Sequence, residues 1–167
     1  CHNEIGRRLT PREIAWLVTL NGWPRMLGRQ VSNNGTIVIL DQGPVFMLVE
    51  LYGFGPENLK SQSAKKWWNS TFRQWAATLD MVIWLDTSDR TLLERIRTRD
   101  KWHSMKEKSE PEVFKFLAHY RESYGQVISL LAANNDGLKA LAFDTARESL
   151  DRVVDKLLLE FGLMNHL

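Results

Sequence analysis

Two short runs of strand-forming residues each stop on an aspartate. The first run covers positions 36–40 and precedes Asp41, and the second covers positions 81–85 and precedes Asp86. A carboxylate at the end of a buried strand can hold a magnesium-bound water or accept a proton from a hydroxyl group. A strand-ending aspartate also commonly caps the turn that follows. Both interpretations are open for Asp41, whereas Asp86 and Thr87 are better explained as caps of the next helix.

The strongest local charge lies at positions 95–108. This segment contains six Lys and Arg residues and two acidic residues, so its local net charge is +4, whereas the whole chain has a formal net charge of +2. Arg95 and Arg99 are four residues apart on a predicted helix, so their guanidinium groups project from one face. A guanidinium binds two phosphate oxygens at once and does not lose its charge. The pattern indicates either phosphate binding or a solvated helix end whose cations favour the C-terminal dipole.

A third candidate follows the predicted strand at positions 138–143. The residues Asp144, Thr145 and Ala146 stand at its carboxyl end, where backbone groups could approach a bound base. An ordinary helix cap is an equally good interpretation of the same residues. No Gly-x-x-x-x-Gly-Lys-Ser/Thr sequence occurs in residues 1–167, and the glycines at Gly53 and Gly55 indicate a turn rather than a phosphate cradle, since no lysine and helix start follow them.

The elements that would position these residues alternate between strands and amphipathic helices. Strands are predicted near 36–41, 81–86 and 138–143, and apolar strands between helices are typical of a parallel α/β sheet whose chemistry lies at the carboxyl ends. The basic stretch near 100–111 has no apolar period and is predicted to be a lid-like loop. We found no repeat and no linker, so the sequence predicts a single α/β domain over residues 1–167.

Composition narrows the class of protein further. The near-neutral net charge of +2 does not favour nucleic-acid binding, and no apolar run approaches the ~20 residues of a membrane helix. Cys1 is the only cysteine, which excludes an intrachain disulfide and disfavours a thiolate metal site. These features fit a cytoplasmic protein. The seven tryptophans, including Trp67 and Trp68, are mostly expected to fill the core, although these two could stack on a base.

The order of these features resembles that of P-loop nucleoside and nucleotide kinases, with the thymidylate kinase and deoxynucleoside kinase group as the best match. The resemblance covers most of the chain from about residue 36 onward and is most specific over residues 82–101, with the helix sequence Glu-Arg-Ile-Arg-x-Arg. It implies a three-layer α/β/α P-loop NTPase-like fold. It also implies a phosphotransferase that uses ATP and Mg²⁺ and acts on a small molecule, a nucleoside or nucleotide.

The resemblance also implies roles for individual residues. Asp41 would lie near magnesium and the phosphate acceptor. Arg95 and Arg99, and less securely Lys101, would be lid residues that contact the donor phosphates. The segment Asp144–Ala146 would lie beside the adenine.

Two departures from the family pattern matter. Gln42 stands where these kinases usually have arginine. The P-loop strand, its glycine loop and the helix behind it, which come earlier in the family's chains, are absent from these residues. We therefore expect the sequence to be a piece of a longer polypeptide, trimmed at its N-terminus and inactive alone. We also expect its three strands to surround a gap that exposes apolar surface.

Two other classes of function are open. The segment Leu9–Ala15 resembles the first helix of helix-turn-helix regulators, with Arg25 and Arg29 following at helical spacing, but Gly22-Trp23-Pro24 interrupts the required turn. A P-loop-like domain that binds a nucleotide or a partner without catalysis is the stronger alternative. The oligomeric state is open, a homodimer included.

Overall fold

The computed structural model describes residues 8–31 and 37–162, and these contain both helices and a small sheet. A short 3-10 helix lies at Glu57–Lys60. The other elements, in chain order, are α1 (Pro11–Val31), α2 (Pro44–Gly53), α3 (Lys65–Ala76), β1 (Met81–Asp86), α4 (Asp89–Thr98), α5 (Glu110–Ala132), β2 (Lys139–Asp144) and α6 (Leu150–Glu160).

Strands β1 and β2 pair with each other in parallel. The amide of Lys139 donates to the carbonyl of Asp80 (3.1 Å), and the amide of Thr145 donates to the carbonyl of Asp86 (2.8 Å). The same sequence separation at both ends of the pair means that the two chains run in the same direction. The predicted α/β class is therefore confirmed, with strands at the second and third predicted positions.

The strand predicted near 36–41 is wrong for the part that the structure describes. Residues 37–40 have no regular structure and residues 41 and 42 form a turn, while position 36 lies outside the described residues. The side chains of Ile37, Val38 and Ile39 are exposed, the last to 82%. An apolar run becomes a strand only when another strand takes its backbone hydrogen bonds, and the described sheet contains β1 and β2 alone.

The chain divides into two compact units. The first unit consists of residues 1–82 and 119–139, and the second consists of residues 83–118 and 140–167. The elements β1, α5 and β2 each contribute residues to both units.

The first unit has a large aromatic core. Helix α1 packs against α2 and α3, and the second half of α5 adds Val127 and Leu131 to the same cluster. Trp75 is completely buried, and its indole N–H donates to the carbonyl of Leu20 (3.1 Å). Trp68 is also buried and donates to a backbone carbonyl, so core packing accounts for it, as it does for most of the tryptophans.

Helix α1 begins at a capping box formed by Thr10 and Glu13. The Glu13 carboxylate accepts hydrogen bonds from the amide (2.7 Å) and the hydroxyl (2.9 Å) of Thr10, and the amide of Glu13 donates to the Thr10 hydroxyl (3.2 Å). The helix then continues through Pro24 to Val31. Leu20 and Leu27, on either side of the proline, are both buried, so packing outweighs the lost backbone bond. Because α1 is one continuous helix, it lacks the turn between two helices that a helix-turn-helix motif requires.

The glycines of the first unit give a matched pair for a stability test. A Cβ at Gly55 would lie 2.1 Å from the backbone oxygen of Leu51, whereas a Cβ at Gly125 in α5 would meet nothing within 4 Å. We expect Gly55→Ala to destabilise the protein by about 2–3 kcal/mol, because the backbone must shift. Gly125→Ala should instead stabilise it by about 0.5–1 kcal/mol through helix propensity. Chemical denaturation measures both, and changes of the same sign would contradict the packing described here.

The second unit has a smaller core. Leu93 and Ile96 of α4 pack with Val113 and Leu117 of α5. Helix α4 is capped by Ser88, whose hydroxyl accepts from the amide of Thr91 (3.3 Å). Ser149 caps α6 in the same way, since its hydroxyl accepts from the amide of Arg152 (3.3 Å).

The sheet of the second unit exposes part of its apolar surface. Ile83 and Leu85 of β1 are exposed, the latter to 57%. A strand covered on both faces would bury these residues. Strand β1 is therefore not covered on both faces. The described residues contain two of the three predicted strands, and these pair directly, so the predicted gap between three strands is not observed there.

Candidate functional site

Arg95 and Thr145, two of the candidate residues predicted from the sequence, are in direct contact. The Arg95 Nη1 group donates to the Thr145 hydroxyl (2.8 Å), and its Nη2 group donates to the Thr145 carbonyl (3.3 Å). The Thr145 hydroxyl in turn donates to the carbonyl of Asp86 (3.1 Å). A side chain from α4 is thus tied to the residue that follows β2 and, through it, to the last residue of β1.

The parallel register explains why these residues meet. Asp86 and Asp144 are the last residues of β1 and β2, and carboxyl ends of paired parallel strands lie at one edge of the sheet. The Ser88 cap turns the chain at once into α4, which carries Arg95 in its second turn. The two bonds to Thr145 use two of the five guanidinium N–H donors. The other three donors are not used by these two bonds.

Asp144 and Ala146 form a local turn. One carboxylate oxygen of Asp144 accepts from the amide of Ala146 (2.9 Å), and the other lies 3.3 Å from Nε of Arg147. The carboxylate therefore caps a turn. This is similar to the helix cap that was one of the two interpretations of this segment, although the residue after the turn does not begin a helix. Its predicted place beside an adenine stays a prediction.

Arg99 and Lys101 lie where α4 passes into the basic loop of residues 99–109. Arg99 follows the last residue of α4 in extended conformation, and both side chains are exposed. The Lys106 ammonium donates to the backbone carbonyl of Arg99 (2.7 Å), which fixes the start of the loop. Because the side chains of Arg99 and Lys101 are exposed, an anion can approach them from solvent.

His103 folds the basic loop back on itself. Its Nδ1 accepts a hydrogen bond from the amide of Met105 (3.1 Å), and its ring lies edge-on to Phe116 with centroids 6.3 Å apart. Burial lowers the pKa of His103 below its ordinary value of 6.5, and the positive charge of Arg99 lowers it further. A neutral Nδ1 is the form that can accept the Met105 bond.

This arrangement makes the loop sensitive to acid. The pKa of His103 is lower in the folded protein than in the unfolded chain, so the unfolded chain binds the proton first as the pH falls. Neutral His103 therefore stabilises the folded protein fully above pH 6.5. This stabilisation decreases as the pH falls from 6.5 toward the folded pKa. NMR titration of the His103 ring should give a midpoint below 6.5, and Arg99→Ala should raise it. A wild-type midpoint above 6.5 would contradict the described loop.

Asp41, the predicted magnesium or acceptor residue, lies in the first unit. It is exposed, in a turn with Gln42, and Gln42 has a left-handed backbone with φ of 45°. A non-glycine residue in this region is strained, and such strain often accompanies functional turns. The next residue, Gly43, packs closely against Leu40 before the turn, since a Cβ at this position would lie 2.7 Å from Cβ of Leu40.

The described residues contain no group of three or more His, Cys, Asp or Glu side chains that could hold a metal ion. A dedicated protein cage is therefore absent from this part of the chain. Magnesium in phosphoryl-transfer sites is usually held by one or two carboxylates, water and substrate phosphates. The predicted role of Asp41 at magnesium or the acceptor stays a prediction.

A polar cluster in the first unit was not predicted from the sequence. Burial raises the pKa of Glu50 in α2; the nearby Arg12 opposes this shift and Glu13 adds to it. Burial also raises the pKa of Tyr124 in α5 to about 12, and the charge of Glu50 contributes. The available signal was a lone carboxylate within the apolar sequence of α2.

Comparisons with protein-family models, with curated protein sequences and with solved structures found no match. Among the described residues, no helix is long and apolar enough to cross a membrane.

Proposed function

We propose that the full-length protein is an ATP- and Mg²⁺-dependent phosphotransferase of the nucleoside or nucleotide kinase type. The observation that carries the proposal is the fixed Arg95. Its guanidinium is hydrogen-bonded to Thr145 at the carboxyl edge of β1 and β2, with Arg99 and Lys101 following toward the basic loop. A parallel α/β sheet binds its ligands at this edge, and arginines stabilise the charge of a phosphoryl group in transfer.

Each residue then has a specific task. Arg95, held in place by Thr145, offers its remaining N–H donors to the donor phosphates. Arg99 and Lys101 add charge from the loop side. The family resemblance implies a separate role for Asp41, at the metal or the acceptor hydroxyl. Magnesium, when bound, neutralises charge on the phosphates. The proposal also requires a phosphate-cradling loop, which residues 1–167 do not contain.

The test is an activity assay of the full-length protein. Incubated with Mg-ATP and a panel of nucleosides and nucleotides, it should convert ATP to ADP in the presence of at least one acceptor. Failure to bind ATP and to turn over any acceptor would end the kinase proposal.

A second candidate is a P-loop-like domain that binds a nucleotide or a partner without catalysis. Residues 1–167 contain no glycine loop, and this candidate gains weight only if the full-length protein lacks one as well. This candidate predicts that ATP binds to the full-length protein, as measured by calorimetry, and that no acceptor is phosphorylated.

A further inference from the structure

Trp102 stands apart from the other tryptophans. It is 85% exposed, whereas the other six are buried or half-buried, all seven being within the described residues. A tryptophan side chain carries a large apolar surface, and leaving it in water forgoes most of the stabilisation that its burial would give. Its position in solvent therefore calls for a physical reason.

The loop around Trp102 is held by several contacts. Immediately after it, His103 accepts from the amide of Met105, and Met105 packs against the core cluster of Leu93, Ile96, Val113 and Leu117. Before it, the carbonyl of Arg99 accepts from the Lys106 ammonium (2.7 Å). The loop is thus anchored to this core through Met105 and closed on itself by the bond between Lys106 and Arg99, while the indole of Trp102 is exposed to solvent.

The charges beside Trp102 are positive. Arg99 and Lys101 are exposed on its N-terminal side, and positions 95–108 have six basic residues against two acidic ones. An aromatic face beside cations offers two complementary contacts, one for a flat apolar ring and one for an anion. A nucleotide has both parts, a base and its phosphates.

We propose that Trp102 is a base-stacking residue, whose indole takes the base of a nucleoside triphosphate while Arg99 and Lys101 contact its phosphates. This inference rests on the proposed function in so far as that function requires a bound nucleotide. It adds a base contact to the predicted one at Asp144–Ala146 and assigns a ligand to the loop.

The observations favour a mononucleotide over a nucleic acid. Non-specific single-strand binding usually combines a long basic groove with several aromatic side chains. Here one exposed tryptophan lies in a basic stretch of local charge +4, and the whole chain has a formal charge of only +2.

Fluorescence quenching of the full-length protein tests the proposal. Acrylamide, a neutral quencher, reaches the exposed Trp102 most readily. ATP should protect it from acrylamide, whereas inorganic triphosphate, which has no base, should compete with ATP for binding without protecting the indole. Trp102→Ala should weaken ATP binding about 5- to 100-fold and leave triphosphate binding unchanged. Trp102→Phe should restore ATP binding to within about threefold, since it keeps an aromatic face.

Three quenching and affinity results would overturn the inference even if ATP binds. They are equal ATP affinity in Trp102→Ala and wild type, equal protection by triphosphate and ATP, and protection by a single-stranded oligonucleotide at far lower concentration than by ATP. The last result would assign the loop to nucleic acid. The proposed function is judged separately, because ATP protection without phosphoryl transfer rejects the kinase and keeps the stacking site. Turnover that is unchanged in Trp102→Ala rejects the stacking site and keeps the kinase. Absence of ATP binding rejects both.

Discussion

Replacing Arg95 with alanine should lower kcat/KM for phosphoryl transfer by the full-length protein about 100-fold or more, the usual cost of losing one preorganised charged donor. The physical reason is its fixed position, since two hydrogen bonds to Thr145 hold the guanidinium at the carboxyl edge of the sheet. Steady-state kinetics with Mg-ATP and the best acceptor measure the effect. We expect most of the loss in kcat, because the donor acts on charge that develops in the transition state.

Three further variants separate the effect of Arg95's position from the effect of its charge. Thr145→Val removes the acceptor of the shorter Arg95 bond and should reduce kcat by about tenfold, whereas Thr145→Ser should keep it, since the hydroxyl is what accepts. Arg97→Ala is the matched control, because Arg97 is an exposed arginine on the same helix and should cost at most about threefold. Equal losses in Arg97→Ala and Arg95→Ala would show that net charge matters and that the position of Arg95 does not.

Replacing Trp75 with alanine should destabilise the protein by about 3–5 kcal/mol. The indole is completely buried in the first unit, so its removal leaves a large cavity. The change also leaves the carbonyl of Leu20 without its indole donor, at 3.1 Å in the intact protein. Urea denaturation, followed by circular dichroism, measures the loss. A variant too unstable to purify would be replaced by Trp75→Phe, which should lose less.

Trp102→Ala is the matched control for this prediction. The same substitution at an 85% exposed position should change the free energy of unfolding by less than about 0.5 kcal/mol. Equal losses at the two positions would contradict the burial described for Trp75 or the exposure described for Trp102.

The sequence was a good guide wherever local signals decide the structure. Met81–Asp86 forms a strand, as predicted, because it is apolar along its length and Ser88 caps the helix directly after it. Residues 37–40 have the same type of sequence, yet they form no strand. A strand needs a partner, and no local signal reports whether a partner is present.

In the candidate site, too, local features could be predicted and contacts between distant residues could not. The basic cluster was evident from the charged residues at positions 95–108. The contact between Arg95 and Thr145 was not, because the residues are 50 positions apart and only the register of the parallel sheet brings them together. The exposure of Trp102 could not be predicted either, because the sequence of a polar segment does not show whether its tryptophan packs against the protein or lies in solvent.

The pairing of β1 with β2 has a consequence for how the chain folds. The strands exchange hydrogen bonds between residues 59 positions apart, with α4, the basic loop and α5 between them. Closing so long a loop costs entropy before any sheet bond forms, whereas the helices form from local contacts. We therefore expect the helices to appear first in stopped-flow refolding and the sheet edge that carries Asp86 and Thr145 to be completed late. The anchor of Arg95 would then be among the last parts of the protein to form.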